Sequence, residues 1–339
     1  MPLPHRPSQL ARKIRETVES LGLDLRGRRI LTEAATGAYV VTPVIAAVAG
    51  AEVVAFTRST RYGSAEEVRR QTLALATELD VANRIRVVES LSDEDLGTAD
   101  VVTNSGHLRP LDAARVDRMK PGSVIPLMYE SWELRPGEID LDACKRRNVQ
   151  VAGTNECHER IRVFDYLGML AVLGLLRCKV SVPFSRILLI CQNPFAPFIA
   201  RTLVGCQADL EVLEGTDLPP GITVRRRAVD ASGDYDAVVL ADTPGARPIL
   251  GRPGAARYSL DQIGRTGALI QVWGDVDRTC LEGIACYPEA PPHAGHMGIL
   301  LSELGPESIV RLQAGGLKVG EVLTSRAPSV EALKYCQLL

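Results

Sequence analysis

The sequence predicts an α/β protein of two doubly wound units, each a mainly parallel sheet, joined by a buried helix. Three observations predict it. Short apolar runs alternate with helix-length segments from residue 29 to residue 152, as in strands linked by crossover helices. The same alternation restarts after Pro183, at residue 186. Between the two, residues 163–176 are apolar over most of a helix surface, which suits a helix buried between layers. At 339 residues the chain accommodates two domains of ordinary size. The expected boundaries are 1–160, 161–182 for the inter-domain helix, 183–305, and 306–339 for a C-terminal helical region.

Residues 8–23 read as an amphipathic helix with Leu10, Ile14, Val18 and Leu21 on one face. Residues 29–31 open the first strand, 32–38 form a turn of small and polar residues, and 40–49 a helix ended by Gly50. The second strand is 52–56. Ser64 starts another helix with Glu66 and Glu67 at its positive end. Further strands are expected at 85–88, 99–103, 124–128 and 149–152, with a helix at 111–119. In the second unit strands are expected at 186–190, 209–213, 223–227, 237–241 and 268–272, with a helix at 198–204. Residues 293–323 read as one or two helices.

Composition narrows the function. The chain is 46% apolar and 24% charged with a formal net charge of −2, so it predicts a globular protein without the basic excess that nucleic acid demands. Aromatics are too few to suggest base stacking. No apolar run reaches membrane-span length; the longest, 167–176, contains glycines and ends at Arg177-Cys178-Lys179. The N-terminus lacks a signal-peptide core. The eight cysteines are scattered without a C-x-x-C pair, which fits a reduced cytoplasm better than a disulfide framework.

The candidate site residues follow strand ends, where open α/β sheets hold ligands. A helix start has free N–H groups and a positive dipole end, so Thr36, Gly37 and Ala38 are candidates for nucleotide phosphates, although one glycine replaces the usual G-x-G-x-x-G. Arg58, Ser59 and Thr60 follow the second strand, where an acid would bind the ribose of NAD; arginine and hydroxyls suit a 2′-phosphate instead. NADP is therefore the expected cofactor, with NAD the alternative. Beyond the strand at 99–103, Asn104 and Gly106 are further nucleotide candidates, His107 suits proton transfer and Arg109 suits an anion; the alternative is a capped turn. Glu130 and Glu133 suit acid and base roles or pairing with arginines. Glu130 is taken as catalytic, and Trp132, Asn155 and Glu156 as substrate contacts. His293 suits proton transfer. It does not form a trusted zinc spacing with His296, Cys157 and His158, so no metal is expected.

From about residue 99 to 322 the order of features resembles the D-2-hydroxyacid dehydrogenase superfamily. IDLDACKRRNVQVAGTNE resembles the segment closing that family's first domain, and the helix ending LGLLRCK its inter-domain helix. RILLICQNPFAPFIARTL lies where its glycine fingerprint lies. DAVVLADTPG and GALIQVWGDVDRTCL resemble later cofactor-side strands, and PPHAG its catalytic-histidine loop, with the histidine at His293. The resemblance implies two Rossmann-like domains and NAD(P)-dependent oxidoreduction. The departures are specific. The fingerprint glycines fall at Cys191, Asn193 and Ala196, flanked by Pro194 and Pro197; side chains at the first two crowd a pyrophosphate and Pro197 lacks an N–H. The family's arginine falls near Trp273, and Glu289 is the nearest counterpart of its glutamate. The expected function is NAD(P)-dependent oxidoreduction of a small polar, carboxylate-bearing metabolite, with the nucleotide on the first unit. The alternatives are a non-redox enzyme (lyase, isomerase or ligase-like) and a ligand-binding protein. The expected partners are a small-molecule substrate and a second copy of the chain, without nucleic acid or membrane.

Overall fold

The computed structural model describes residues 7–61, 63–228 and 233–339. The chain forms two compact units, one of residues 1–163 with 305–339 and one of residues 164–304.

In the first unit β1 (Arg29–Glu33), β2 (Glu52–Phe56), β3 (Ile85–Val88), β4 (Val101–Val102), β5 (Val124–Pro126) and β6 (Gln150–Thr154) lie in the order 3-2-1-4-5-6. All pair in parallel. The C-terminal strand Cys336–Leu338 adds antiparallel to β6 at the edge. This order creates a crevice at the carboxyl ends of β1 and β4, where the chain leaves the sheet in opposite directions. The expected face of helix α1 (Pro7–Leu21) is buried at Leu10, Ile14, Val18 and Leu21. Helix α2 (Val41–Val48) is buried over nearly all its residues, as its apolar composition requires. Helix α3 (Ala65–Glu78) begins where Ser64 accepts a hydrogen bond from the Glu67 N–H.

The C-terminal helix Pro306–Leu323 packs on β5 and β6 of the first unit. Its glycines permit the approach. A Cβ on Gly316 would stand 2.5 Å from the Met128 sulfur, and one on Gly320 2.8 Å from a Val101 methyl. The helix expected at 111–119 is shorter, Ala113–Val116, because Leu111 bridges to Ile139 and Asp112 caps the turn after it.

In the second unit β7 (Arg186–Ile190), β8 (Asp209–Leu213), β9 (Arg225–Arg227), β10 (Ala237–Ala241), β11 (Ala268–Trp273) and β12 (Ala285–Tyr287) repeat the same parallel order. The chain is therefore two Rossmann-like α/β units in series. The expected inter-domain segment divides: Ile161 packs beside Gly315 in the first unit, while helix Leu167–Arg177 packs against helix Ala196–Gly205 and β11 in the second. Gly168 and Gly174 allow this, since a Cβ would fall 2.1 Å from the Thr202 hydroxyl at the first and 2.4 Å from an Ile270 methyl at the second. Among the described residues no helix is long and apolar enough to cross a membrane, and no group of His, Cys, Asp and Glu could hold a metal ion.

Candidate functional site

The two crevices differ in what fills them. In the second unit the crevice lies between the ends of β7 and β10. Asp242 follows β10 and is buried. One of its oxygens accepts the Gln192 backbone N–H at 3.0 Å and the other the Arg257 guanidinium at 2.6 Å. Asn193 donates its amide to the Ala241 carbonyl at 2.9 Å and accepts the Phe195 N–H at 2.9 Å. The Ala196 N–H goes to the Asn193 carbonyl, and Pro194 and Pro197 have none to give. Burial pushes the Cys191 thiol far above its ordinary pKa. The turn that would hold a pyrophosphate thus spends its donors on its own side chains and places a carboxylate in the anion's position. Asp242→Ala is expected to destabilise the second unit by about 1–3 kcal/mol through the freed Gln192 N–H and Arg257, measured by chemical unfolding, and to create no nucleotide binding.

In the first unit the corresponding crevice is polar and less committed. Thr36 precedes a short 3-10 turn, Gly37–Val40, that leads into α2. Gly37 has φ +69° and an added Cβ would meet nothing within 4 Å, so the backbone there is both left-handed and accessible. Ala38 is half-buried beside it. Arg58 is exposed beyond β2 and donates Nε to His107 Nδ1 at 3.2 Å. Among the described residues no carboxylate pairs with it. Ser59 accepts the Ala65 N–H at 3.0 Å, and the Thr60 backbone closes a turn with Gly63. Both shape the loop that carries Arg58.

Glu33, the last residue of β1, is the site residue that sequence reasoning missed. Its carboxylate accepts the His107 backbone N–H at 3.1 Å and lies 3.7 Å from His107 Nε2. It lies so close to Gly106 that a Cβ there would overlap it. The only available signal was an acid ending an otherwise buried strand just before the turn. Because Nδ1 accepts from Arg58, the ring proton of neutral His107 belongs on Nε2, facing Glu33. Burial raises the Glu33 pKa, and burial with the nearby Arg58 lowers that of His107. His107 therefore links a cation to an acid and has both nitrogens engaged.

Asn104, fully buried, donates its amide to the Tyr129 hydroxyl, which in turn bonds Glu138. The Asn104 carbonyl oxygen has no partner. Glu138 also holds Arg109 at 3.1 Å, so Arg109 is oriented rather than free. Glu130, expected as a catalytic residue, is held by its neighbours. It is buried and accepts the Glu156 N–H at 2.7 Å, the Trp132 indole at 3.1 Å and the Gln337 amide at 2.6 Å. It thereby fastens three chain segments. Asn155 likewise binds the C-terminal segment through the Lys334 and Tyr335 carbonyls. Trp132 is half-exposed, and Glu156 is buried. His293 lies in the second unit on an exposed loop, its ring against His296.

Glu133 sits among carboxylates. Burial, then Glu130 and Glu138, push its pKa up to about 7. A raised carboxylate pKa means that the folded state keeps a proton the unfolded chain releases. Stability is therefore lost as pH rises from about 4.5 towards 7. Glu133→Gln is expected to flatten this loss, seen as a smaller change in unfolding midpoint between pH 5 and pH 8.

No family model and no curated protein sequence matches the chain. Solved structures do. A dipicolinate synthase chain from Bacillus halodurans superposes with a TM-score of 0.55 at 10% identity, covering 89% of this chain and 99% of that one. A transhydrogenase from Sinorhizobium meliloti gives 0.53 at 12% identity, over 91% and 96%. A D-isomer specific 2-hydroxyacid dehydrogenase from Lactobacillus delbrueckii ssp. bulgaricus gives 0.48 at 13%, over 86% and 95%. The likeness is one of fold: this chain has the Rossmann-type α/β units of the first two of these structures.

Proposed function

We propose that the protein is an NAD(P)-linked oxidoreductase of a small polar metabolite, with its dinucleotide on the first unit. The observation that carries this reading is the contrast between two crevices of identical strand order. The second is filled by Asp242, Arg257 and Asn193. Among the described residues, the first presents an accessible glycine turn, an arginine with no carboxylate at ion-pair distance and a buried carbonyl oxygen without a donor. The residues fit the group. The backbone at Thr36, Gly37 and Ala38 would hold the pyrophosphate, and Arg58 with the Ser59 hydroxyl the 2′-phosphate of NADP. When bound, the nicotinamide supplies or accepts a hydride. Once Arg58 turns from His107 Nδ1 to the 2′-phosphate, Nδ1 takes the proton of the substrate hydroxyl, and the Nε2–H beside Glu33 passes its own proton to that carboxylate. Arg109, oriented by Glu138, faces an anionic group of the substrate.

The test is a fluorescence titration with NADPH and NADH. NADPH is expected to bind more tightly. Binding of neither, by protein shown to be folded, overturns the reading. Glu33 favours a second reading, a non-redox enzyme on the same fold, because a carboxylate at the end of β1 opposes a pyrophosphate. Glu33→Gln separates the two. Under the first reading it tightens NADPH binding several-fold by removing a like charge; under the second it leaves nucleotide binding absent.

A further inference from the structure

At the amino end of β1 the first unit holds a polar cavity of about 420 Å³. It lies between the turn before β1 and the segment that follows helix Pro306–Leu323. That volume is in the range of small-molecule sites. The whole of β1 separates it from the Glu33 end of the strand. Five strand residues span roughly 16 Å.

The charges of this cavity do not balance. Arg26, Arg28, Lys318 and Arg326 line it against two carboxylates, Asp24 and Glu321. Both carboxylates are taken. Asp24 accepts the Arg26 backbone N–H at 3.1 Å and the Arg26 guanidinium at 2.9 and 2.5 Å. Glu321 accepts the buried Lys318 ammonium at 2.7 Å with one oxygen and the Asp24 N–H at 2.9 Å with the other. Lys318 gives a further N–H to the Gly22 carbonyl at 3.0 Å. Arg28 and Arg326 remain unmatched by an acid. Arg28, half-buried, donates to the Thr324 carbonyl at 3.1 Å, which anchors the guanidinium at the cavity wall without neutralising it. Arg326 is exposed and, among the described residues, has no hydrogen bond or ion pair.

Two hydroxyls line the same cavity. Among the described residues the Ser325 hydroxyl has no hydrogen bond. The Ser329 hydroxyl accepts the Ala332 N–H at 3.1 Å and keeps its own O–H to donate. Two unmatched guanidiniums with two hydroxyl donors suit a tetrahedral oxyanion, whose several oxygens each take a donor. A carboxylate brings two oxygens and one charge. A phosphate monoester brings about two charges, which matches the excess.

We propose that this cavity binds a small phosphate monoester, with its phosphate between Arg28 and Arg326. The site is at the opposite end of β1 from the crevice, so it takes an accessory ligand and not the reacting group. It does not depend on the nucleotide reading above.

The probe is methyl phosphate, read by the broadening of its phosphorus NMR signal with the full chain at pH 8. All samples carry Arg58→Ala, which keeps the crevice of the proposed function out of the measurement. Broadening is expected in this background, and adding Arg326→Ala lowers it about ten-fold. Arg326→Ala removes no bond among the described residues, so the doubly substituted chain is expected to melt as the background does. Sulfate is expected to abolish the broadening, and acetate at equal ionic strength to leave it in place. Broadening that acetate removes as fully as sulfate is charge screening and overturns the proposal, whether or not the variant folds. Absence of broadening in the Arg58→Ala background overturns it, and so does broadening that persists in the folded Arg326→Ala variant. Methyl phosphate binding without NADPH binding to wild type retains this site and removes the oxidoreductase reading; NADPH binding without methyl phosphate binding does the reverse.

Discussion

On the proposed reading, Arg58→Ala is expected to lower affinity for NADPH by about 30-fold, or ~2 kcal/mol, and to leave affinity for NADH within about two-fold. The argument is the position of the guanidinium. It follows β2, where the adenosine ribose lies in a dinucleotide unit of this strand order. It has no carboxylate partner among the described residues; its Nε bond goes to a neutral imidazole. Its charge is therefore available to a phosphate, and a bidentate arginine–phosphate contact is among the stronger polar interactions. NADH lacks the 2′-phosphate and loses little. Fluorescence titrations of both nucleotides at fixed ionic strength check the result. Equal losses for both would assign Arg58 to the general architecture of the loop through His107. Arg58→Lys should recover only part of the NADPH affinity, since an ammonium supplies charge without the planar fork.

Glu130→Ala is expected to cost about 3–5 kcal/mol, because several donors lose one acceptor together. The freed groups are the Glu156 N–H, the Trp132 indole and the Gln337 amide. Two consequences follow. The edge strand Cys336–Leu338 keeps the Ser131 N–H on Gln337 but loses the Gln337 amide's hold on Glu130, and the turn carrying Glu133 loosens. For a unit of this size the melting midpoint should fall by ~10 °C. Glu130→Gln keeps the acceptor oxygen but turns an amide towards the Gln337 amide, so it should fall between wild type and alanine. A residue acting as acid or base would show the opposite pattern, with stability intact and turnover lost. Calorimetry beside a nucleotide titration distinguishes them.

The strands at 52–56, 85–88, 186–190, 209–213 and 237–241 were legible from sequence to the residue. They are short apolar runs bounded by turn residues, and both signals are local. The expected first-strand boundary fell short: the apolar run stops at Leu31, whereas β1 continues through Thr32 to Glu33. Thr32 is buried and bonds Thr103, a partner supplied by strand order. That extension is what carries the Glu33 carboxylate to Gly106 and His107, more than seventy residues away. His107, Arg58 and Asn104 were legible as candidates because they follow strand ends. Glu130 and Asn155 were legible as polar residues near the crevice, but their partners lie on the C-terminal segment, and nothing local in the sequence joins those stretches.

The sequence by itself determined the two α/β units, the amphipathic faces and the broken glycine turn at Cys191 and Asn193, since each depends on residues within a few positions of one another. Tertiary structure alone decided which crevice is filled and which is open. It set Asp242 against the Gln192 N–H across fifty residues. Among the described residues it left Arg58 with no carboxylate at ion-pair distance, and it joined Glu130 to the Glu156 N–H. The reason is that strand order, not spacing along the chain, determines which loops meet at a sheet edge. The charge balance of a crevice exists only once those loops have met.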